Sequence, residues 1–425
     1  MLIQQPIQYL ICSLSGYLKA KADMQLSLPL QNLHLTYCTN IHAGESWDEV
    51  VSSLDETIPV LRKKLELSDG QAFGIGLRLS AQAADSLIVP AKLDEFKAQL
   101  TRLGAYVFTI NAFPYGPFHT VRVKEQVYLP DWRDDERLRY TRQCAHILAA
   151  LLPDGMGGSI STVPGAYKTE AQTADAQNQI VGQLIAAVAM LAQLEQDTGK
   201  YIALALEPEP CCFLETLAET TAFFSQQLWA TDSMARLADL CGSREAEASH
   251  LMRRHLGVCY DVCHAAVEFE DPVNALRTLT ALGIRIPKIQ LSCALRIPAM
   301  QADMLAELQR FDDGVYLHQV VVRNQHGLQR YTDLPAAFAA YQAGQADAEW
   351  RIHCHVPIFW DGNGQLGSTR AELLATLQAL RKQGFSNHLE VETYTWDVLP
   401  AHLKNESKAH AIARELGFIM KELLT

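Results

Sequence analysis

Gly257-Val-Cys-Tyr-Asp261-Val-Cys-His264 reads as a β-strand that ends in a carboxylate, with an imidazole three residues on. Burying a charge is expensive unless it is paired or bound to metal, so a buried strand has little structural reason to end this way. Three other apolar runs end in ligand-type groups: Ala203-Leu-Ala-Leu-Glu207-Pro-Glu209-Pro, Lys288-Ile-Gln290-Leu-Ser292 and His388-Leu-Glu390-Val-Glu392-Thr-Tyr394. A divalent-metal site at the mouth of a barrel accounts for all four together.

Around these runs, short β-rich segments alternate with helical patterns, the signature of repeated βα units and a parallel sheet. Strands are predicted at residues 33–41, 73–79, 106–112, 158–162, 201–206, 256–260, 287–291 and 388–393. Eight is the number that closes a (β/α)8 barrel. A ninth run, 350–358, reads as an inserted strand or an extended loop, and 314–334 as a β-hairpin inserted after strand seven, with its turn at 324–327. Ser46-Trp-Asp-Glu49 is a capping box opening a helix over 48–65, and Thr369-Arg-Ala-Glu372 has the same form. A third helix spans 177–198 and stops before Gly199. One α/β domain over 33–425 follows, preceded by an N-terminal extension, 1–32, that is disordered or loosely packed. The stretch 1–22 lacks the basic region and cleavage pattern of a signal peptide.

The chain has 425 residues, 48% of them hydrophobic and 20% charged, and a formal net charge of −12. That balance argues against nucleic acid or an anionic membrane as partner, since either calls for a basic face. The longest apolar run, near 184–194, is too short to span a bilayer, so no stable membrane insertion is expected. Ten cysteines in a chain of this length do not form a disulfide scaffold, and several lie within apolar runs. A reducing, cytoplasmic setting fits them.

The active end of such a barrel is the C-terminal rim of its strands. Glu207, Asp261, Gln290 and Glu392 fall on that rim, an oxygen-rich set suited to Mn, Mg or Co and less natural for thiolate-type Zn sites. Three carboxylates together raise one another's pKa unless a cation sits between them. His264, at i+3 from Asp261, is placed to coordinate metal or hold a substrate oxygen. His353-Cys-His355 sets two imidazoles on one face of an extended segment, as further ligands or a proton relay. His42, Arg78 and Asn111, at the ends of the first three strands, are candidate substrate-binding groups. Arg78 either pairs with the acidic site or binds an anionic substrate group, and the bland alternatives are local capping for His42 and Glu45 and turn closure for Asn111.

These residues resemble the xylose isomerase-like barrel superfamily of sugar isomerases, ketose epimerases and the endonuclease IV branch. The 257–264 motif is similar to the sixth-strand motif of that branch, and Glu392-Thr393 to its closing Glu-Thr. The resemblance implies metal ligation by Glu207, Asp261 and Glu392, with Gln290 where many relatives carry histidine. It implies a third-metal or substrate role for His264, and His353 and His355 resemble an Asp-x-His pair. Arg78 and Asn111 stand where the endonucleases carry histidines, a departure from a complete trinuclear zinc site.

Thr36-Tyr-Cys-Thr-Asn-Ile-His42-Ala-Gly-Glu45-Ser-Trp47 and His388-Leu-Glu-Val-Glu-Thr-Tyr-Thr-Trp396-Asp-Val-Leu-Pro400 resemble the EboE family of bacterial metabolite-traffic proteins. This implies a secondary-metabolite operon, a small-molecule metabolite as ligand and other operon products as partners. Three functions compete: an isomerase or epimerase with Glu207 and Glu392 exchanging a proton and His264 assisting, a phosphoester hydrolase, and a non-catalytic binding or scaffold protein.

Overall fold

The computed structural model describes residues 33–119, 123–344, 348–362, 365–401, 404 and 406–424. The expected extension over 1–32 lies outside them. Eight strands form the barrel: β1 (His34–Tyr37), β2 (Phe73–Arg78), β3 (Ala105–Asn111), β4 (Gly158–Thr162), β5 (Ile202–Leu206), β6 (Leu256–Asp261), β7 (Arg285–Leu291) and β13 (His388–Val391). They hydrogen-bond in parallel in the order β1-β13-β7-β6-β5-β4-β3-β2. The predicted strands all exist, most with one or two residues trimmed or added at their ends.

Side chains help to close the remaining seam, between β1 and β2. One parallel bridge joins Cys38 to Gly76. Thr36 Oγ1 donates to the Gly74 carbonyl at 2.7 Å and accepts from Gly76 N–H at 2.9 Å, while Thr39 Oγ1 accepts from Arg78 N–H at 2.7 Å. Two threonine hydroxyls thus stand in for missing ladder bonds. Gly76 is required here because a Cβ would lie 2.0 Å from Glu390 Oε1 and 2.8 Å from the Tyr37 carbonyl.

Helices fill the crossovers. Ser46 and Glu49 form the expected reciprocal box at the start of Trp47–Lys64. The helix Ala174–Thr198 begins three residues earlier than predicted, capped by the Thr173 side chain, and stops at left-handed Gly199 (φ +69°). Thr369 does not form the expected box with Glu372. Its hydroxyl instead accepts from Ala294 N–H at 2.8 Å.

That bond leads to the element the sequence reading resolved least well. The chain leaves β7 and within three residues enters a second, antiparallel sheet of β8 (Ala294–Ile297), β9 (Val320–Asn324), β10 (Gly327–Tyr331), β11 (Glu349–His355) and β12 (Gly367–Ser368), ordered β10-β9-β11-β8-β12. The pair β9–β10 is the edge of this sheet and not a free-standing hairpin insert. The ninth run is its central strand, hydrogen-bonded on both sides. The sheet spans the interval between β7 and β13 and delivers the end of β11 to the barrel mouth.

Inside the barrel, Lys288 Nζ meets Glu390 Oε2 at 2.6 Å and Ser161 Oγ at 3.2 Å, both charged residues being fully enclosed. Burial opposes the lysine's charge, but Glu390 outweighs it and the pKa lies above the ordinary lysine value. A broken buried pair leaves a lone interior charge. Lys288→Met is therefore expected to cost roughly 3–5 kcal/mol. Urea denaturation should show this loss, and Lys288→Met/Glu390→Gln should recover most of it.

Helix Lys408–Leu424 packs Glu415 against the barrel, where its Oε1 accepts from Thr393 Oγ1 (2.7 Å) and Ile358 N–H (3.2 Å). Burial pushes its pKa up to about 7. The folded state thus holds a proton that the unfolded chain gives up nearer pH 4.5, and this stability is lost as pH rises through 7. Glu415→Gln keeps both acceptor bonds. It should raise stability at pH 8 over wild type by roughly 3 kcal/mol more than at pH 4.5, read from paired denaturation curves.

Candidate metal centre

The strand ends converge as the alternation requires. Glu207 follows β5 directly, where Pro208 ends the strand. Asp261 is both the last residue of β6 and the N-cap of helix Val262–Val267. Glu392 follows β13, its N–H on the Leu291 carbonyl at 3.2 Å. One carboxylate oxygen from each lies within 4.8 Å of the others, and all three residues are at most 4% exposed.

Their hydrogen bonds leave acceptors unused. Asp261 Oδ1 accepts from His264 N–H (3.0 Å) and Ser292 Oγ (2.8 Å). Glu392 Oε1 accepts from the amides of Asn40 (2.7 Å) and Asn111 (3.1 Å). Glu207 Oε2 and Asp261 Oδ2 are buried with no donor. Burial, reinforced by Glu392 and Asp261, holds Glu207 well above the usual carboxylate range; burial with Asp261 and Glu390 does the same for Glu392. Burial also opposes ionisation of Asp261, but His264, His355 and its two hydrogen bonds outweigh that and its pKa falls below the ordinary value.

Beside the carboxylates sit three imidazoles. His264 Nδ1 lies 3.0 Å from the Pro208 carbonyl, His353 Nδ1 2.8 Å from Gln319 Oε1, and His355 Nδ1 2.8 Å from the Glu392 carbonyl. Those oxygens can only accept, so each Nδ1 carries a proton, and a ring in its neutral form then keeps a bare lone pair on Nε2. Yet the Nε2 atoms face one another, 3.1 Å apart for His264–His353 and 3.3 Å for His353–His355. Facing lone pairs need a proton or a cation between them. Two nitrogens bound 2.0–2.1 Å from one ion at near-tetrahedral or right angles are separated by about 2.9–3.4 Å, which these distances match. Burial and the neighbouring imidazoles hold His353 well below its ordinary pKa, and burial takes His355 to about 4, so a proton is a poor candidate for the gap between those two rings.

The donors therefore fit divalent metal in two adjoining sets. Glu207, Asp261 and Glu392 form an acidic set, and Asp261, His264 and His355 another, their ligand atoms again within 4.8 Å. Asp261 belongs to both. Glu209, two residues past Glu207, meets His264 and His353 within the same limit and accepts from Tyr128 O–H at 2.7 Å.

The other sequence candidates divide. Asn111 lines the cavity above the carboxylates and steadies Glu392. Gln290 is fully buried with its Oε1 taken by the Cys259 thiol (3.2 Å), its Nε2 unpaired, and it does not line the cavity. Arg78 forms an internal ion pair with Glu45 at 2.9 Å and donates to the carbonyls of Gly44 and Gly116. His42 meets Tyr37 O–H at 3.0 Å in a separate recess. Of the groups not singled out from sequence, Asn40 and Glu209 stand in the quoted strand-end motifs. Gln319 and Tyr128, which hold His353 and Glu209, carry no local signal.

If Glu207 is held protonated until metal displaces the proton, adding Mn²⁺ or Zn²⁺ to metal-free protein near neutral pH should release protons. An indicator-dye titration should show it, and Glu207→Gln should release fewer. No release on metal binding would contradict the assignment.

No protein-family model matches the chain, and no curated protein matches it in sequence. Solved structures match at the level of the barrel. A xylose isomerase-like TIM barrel protein from Mycobacterium smegmatis in complex with magnesium is 10% identical, with a TM-score of 0.48, covering 92% of this chain and 97% of that one. A xylose isomerase domain protein from Alicyclobacillus acidocaldarius is 12% identical, with a TM-score of 0.46, over 92% and 98%. A D-tagatose 3-epimerase-like protein is 12% identical, with a TM-score of 0.45, over 92% and 100%. Likeness of this degree says nothing about the reaction. No helix among the described residues is long and apolar enough to cross a membrane.

Proposed function

We propose that this chain is a metal-dependent enzyme that isomerises or epimerises a small sugar- or polyol-like metabolite. The observation that carries the reading is the pair Glu207 and Glu392: two buried carboxylates on different strands, both biased toward the protonated form, with ionised Asp261 beside them. A divalent ion held by these three would polarise substrate oxygens and acidify the carbon between them. Glu207, whose Oε2 has no donor, would be free to accept a proton from that carbon once a bound metal has displaced its own. Glu392 is fixed by Asn40 and Asn111 and returns a proton from another direction. His264, held by its Nδ1–H on the Pro208 carbonyl, presents Nε2 to a substrate oxygen or to the metal.

The motifs at 36–47 and 388–400 support placing the chain in the EboE family. A cytoplasmic role in bacterial metabolite traffic, with partners encoded beside it, belongs to the same proposal. The three converging imidazoles favour a second reading, a phosphoester hydrolase with more than one ion.

The test is proton exchange. Metal-loaded protein incubated in D2O with a panel of ketoses and cyclic polyol ketones should place deuterium at the carbon beside the carbonyl, followed by NMR. Glu207→Gln and Glu392→Gln should each lower the rate at least 100-fold. Cleavage of bis-p-nitrophenyl phosphate without exchange would favour the hydrolase. Neither reaction would leave a barrel that binds or scaffolds without catalysing.

A further inference from the structure

The cavity above the carboxylates has two unlike ends. Its floor is polar, built from Asn40, Asn111, Glu207, Glu209, His264, His353 and Glu392. Its outer wall is apolar: Phe113, Pro114, Phe118, Val127, Tyr316 and Leu317. The Phe118 ring lies 5.2 Å from that of Tyr316 and 5.3 Å from that of Tyr394, which stands edge-on 5.2 Å from Tyr316, so three rings cluster at the mouth. The wall is also fixed. Tyr316 O–H is hydrogen-bonded to His119 Nδ1 at 2.7 Å, and Phe118 N–H donates to Glu45 Oε1 at 2.8 Å. The Lys124 ammonium, the charged group in this stretch of wall, is held by Asp333 at 2.5 Å.

A free sugar carries hydroxyls around its whole perimeter, and each one pressed against this wall would lose its water without a replacement partner. Apolar pockets with a few convergent polar groups select ligands of the same division. Resting on the metal-site reading above, we infer that the substrate is amphiphilic. One end carries adjacent oxygen functions that meet the carboxylates and imidazoles, and the other is an aromatic or hydrocarbon substituent that lies against Val127, Leu317 and the ring cluster. The site is thereby specific for a substituted polyol or hydroxyketone over a free sugar.

The test compares two metal-directed probes on the metal-loaded full chain. 4-Nitrocatechol joins adjacent oxygens to an aromatic ring and changes colour when it chelates; acetohydroxamate chelates without a ring. Val127 and Leu317 are half-buried, and Val127→Thr and Leu317→Asn make them polar while keeping the branching of each side chain. The double variant should bind 4-nitrocatechol at least tenfold more weakly, with acetohydroxamate binding changed less than twofold. A single variant, Val127→Thr, gives a smaller change in the same direction if the double variant does not fold. Equal weakening of both probes, or no change in either, overturns the inference while leaving the metal site intact. Failure of both probes to bind wild-type protein overturns the metal reading and this inference with it.

Discussion

Three carboxyl groups and three imidazoles are enclosed at one end of a barrel, and the carboxylates repel one another when ionised unless something positive lies among them. Glu207, Asp261 and Glu392 bring carboxyl oxygens within 4.8 Å of one another, and the rings of His264, His353 and His355 turn their Nε2 atoms inward. In a low-dielectric interior such crowding is costly. The surroundings deepen it by fixing the groups in place: Asn40 and Asn111 on Glu392, Ser292 on Asp261, and carbonyl or amide oxygens on each Nδ1. Rigid orientation of metal-binding side chains by such outer partners is how metal sites are ordinarily held ready.

The fold is arranged around this constraint. The parallel barrel supplies the carboxylates from β5, β6 and β13, while the second sheet exists, in effect, to bring β11 to the same rim. One layer below lies the enclosed pair Lys288–Glu390, whose glutamate raises the pKa of Glu392 and whose lysine lowers that of both Glu207 and Glu392. Gly76 clears the space for Glu390. Stability and site electrostatics are coupled through these few residues.

Much of this was legible in the sequence because strand ends carry a strong local signal. A β-rich run that closes on Asp261 or Glu392 is improbable without a ligand, and the i, i+2 spacing of His353 and His355 already places both on one face of a strand. The second sheet was hard to read for physical reasons: β8 starts three residues after β7, β12 is two residues long, and β9 pairs with distant β11 as well as its neighbour. Non-local partners also decided the fate of Arg78, whose guanidinium is taken up by Glu45, 33 residues earlier, and of Gln290, whose amide oxygen meets a thiol from the adjacent strand. Gln319 and Tyr128 reach the site across long sequence separations, which no spacing rule reveals.

Metal in the space that these groups enclose is the premise of both catalytic readings. The most direct measurement is elemental analysis of protein never exposed to chelator, wild type beside Asp261→Ala/Glu392→Ala. The premise predicts at least one divalent ion per wild-type chain and near-complete loss in the double variant with the circular dichroism of the barrel retained. One ion fits the isomerase reading, and two or three the hydrolase. Equal metal content in the folded double variant, or none in wild type even after metal is restored, would contradict it.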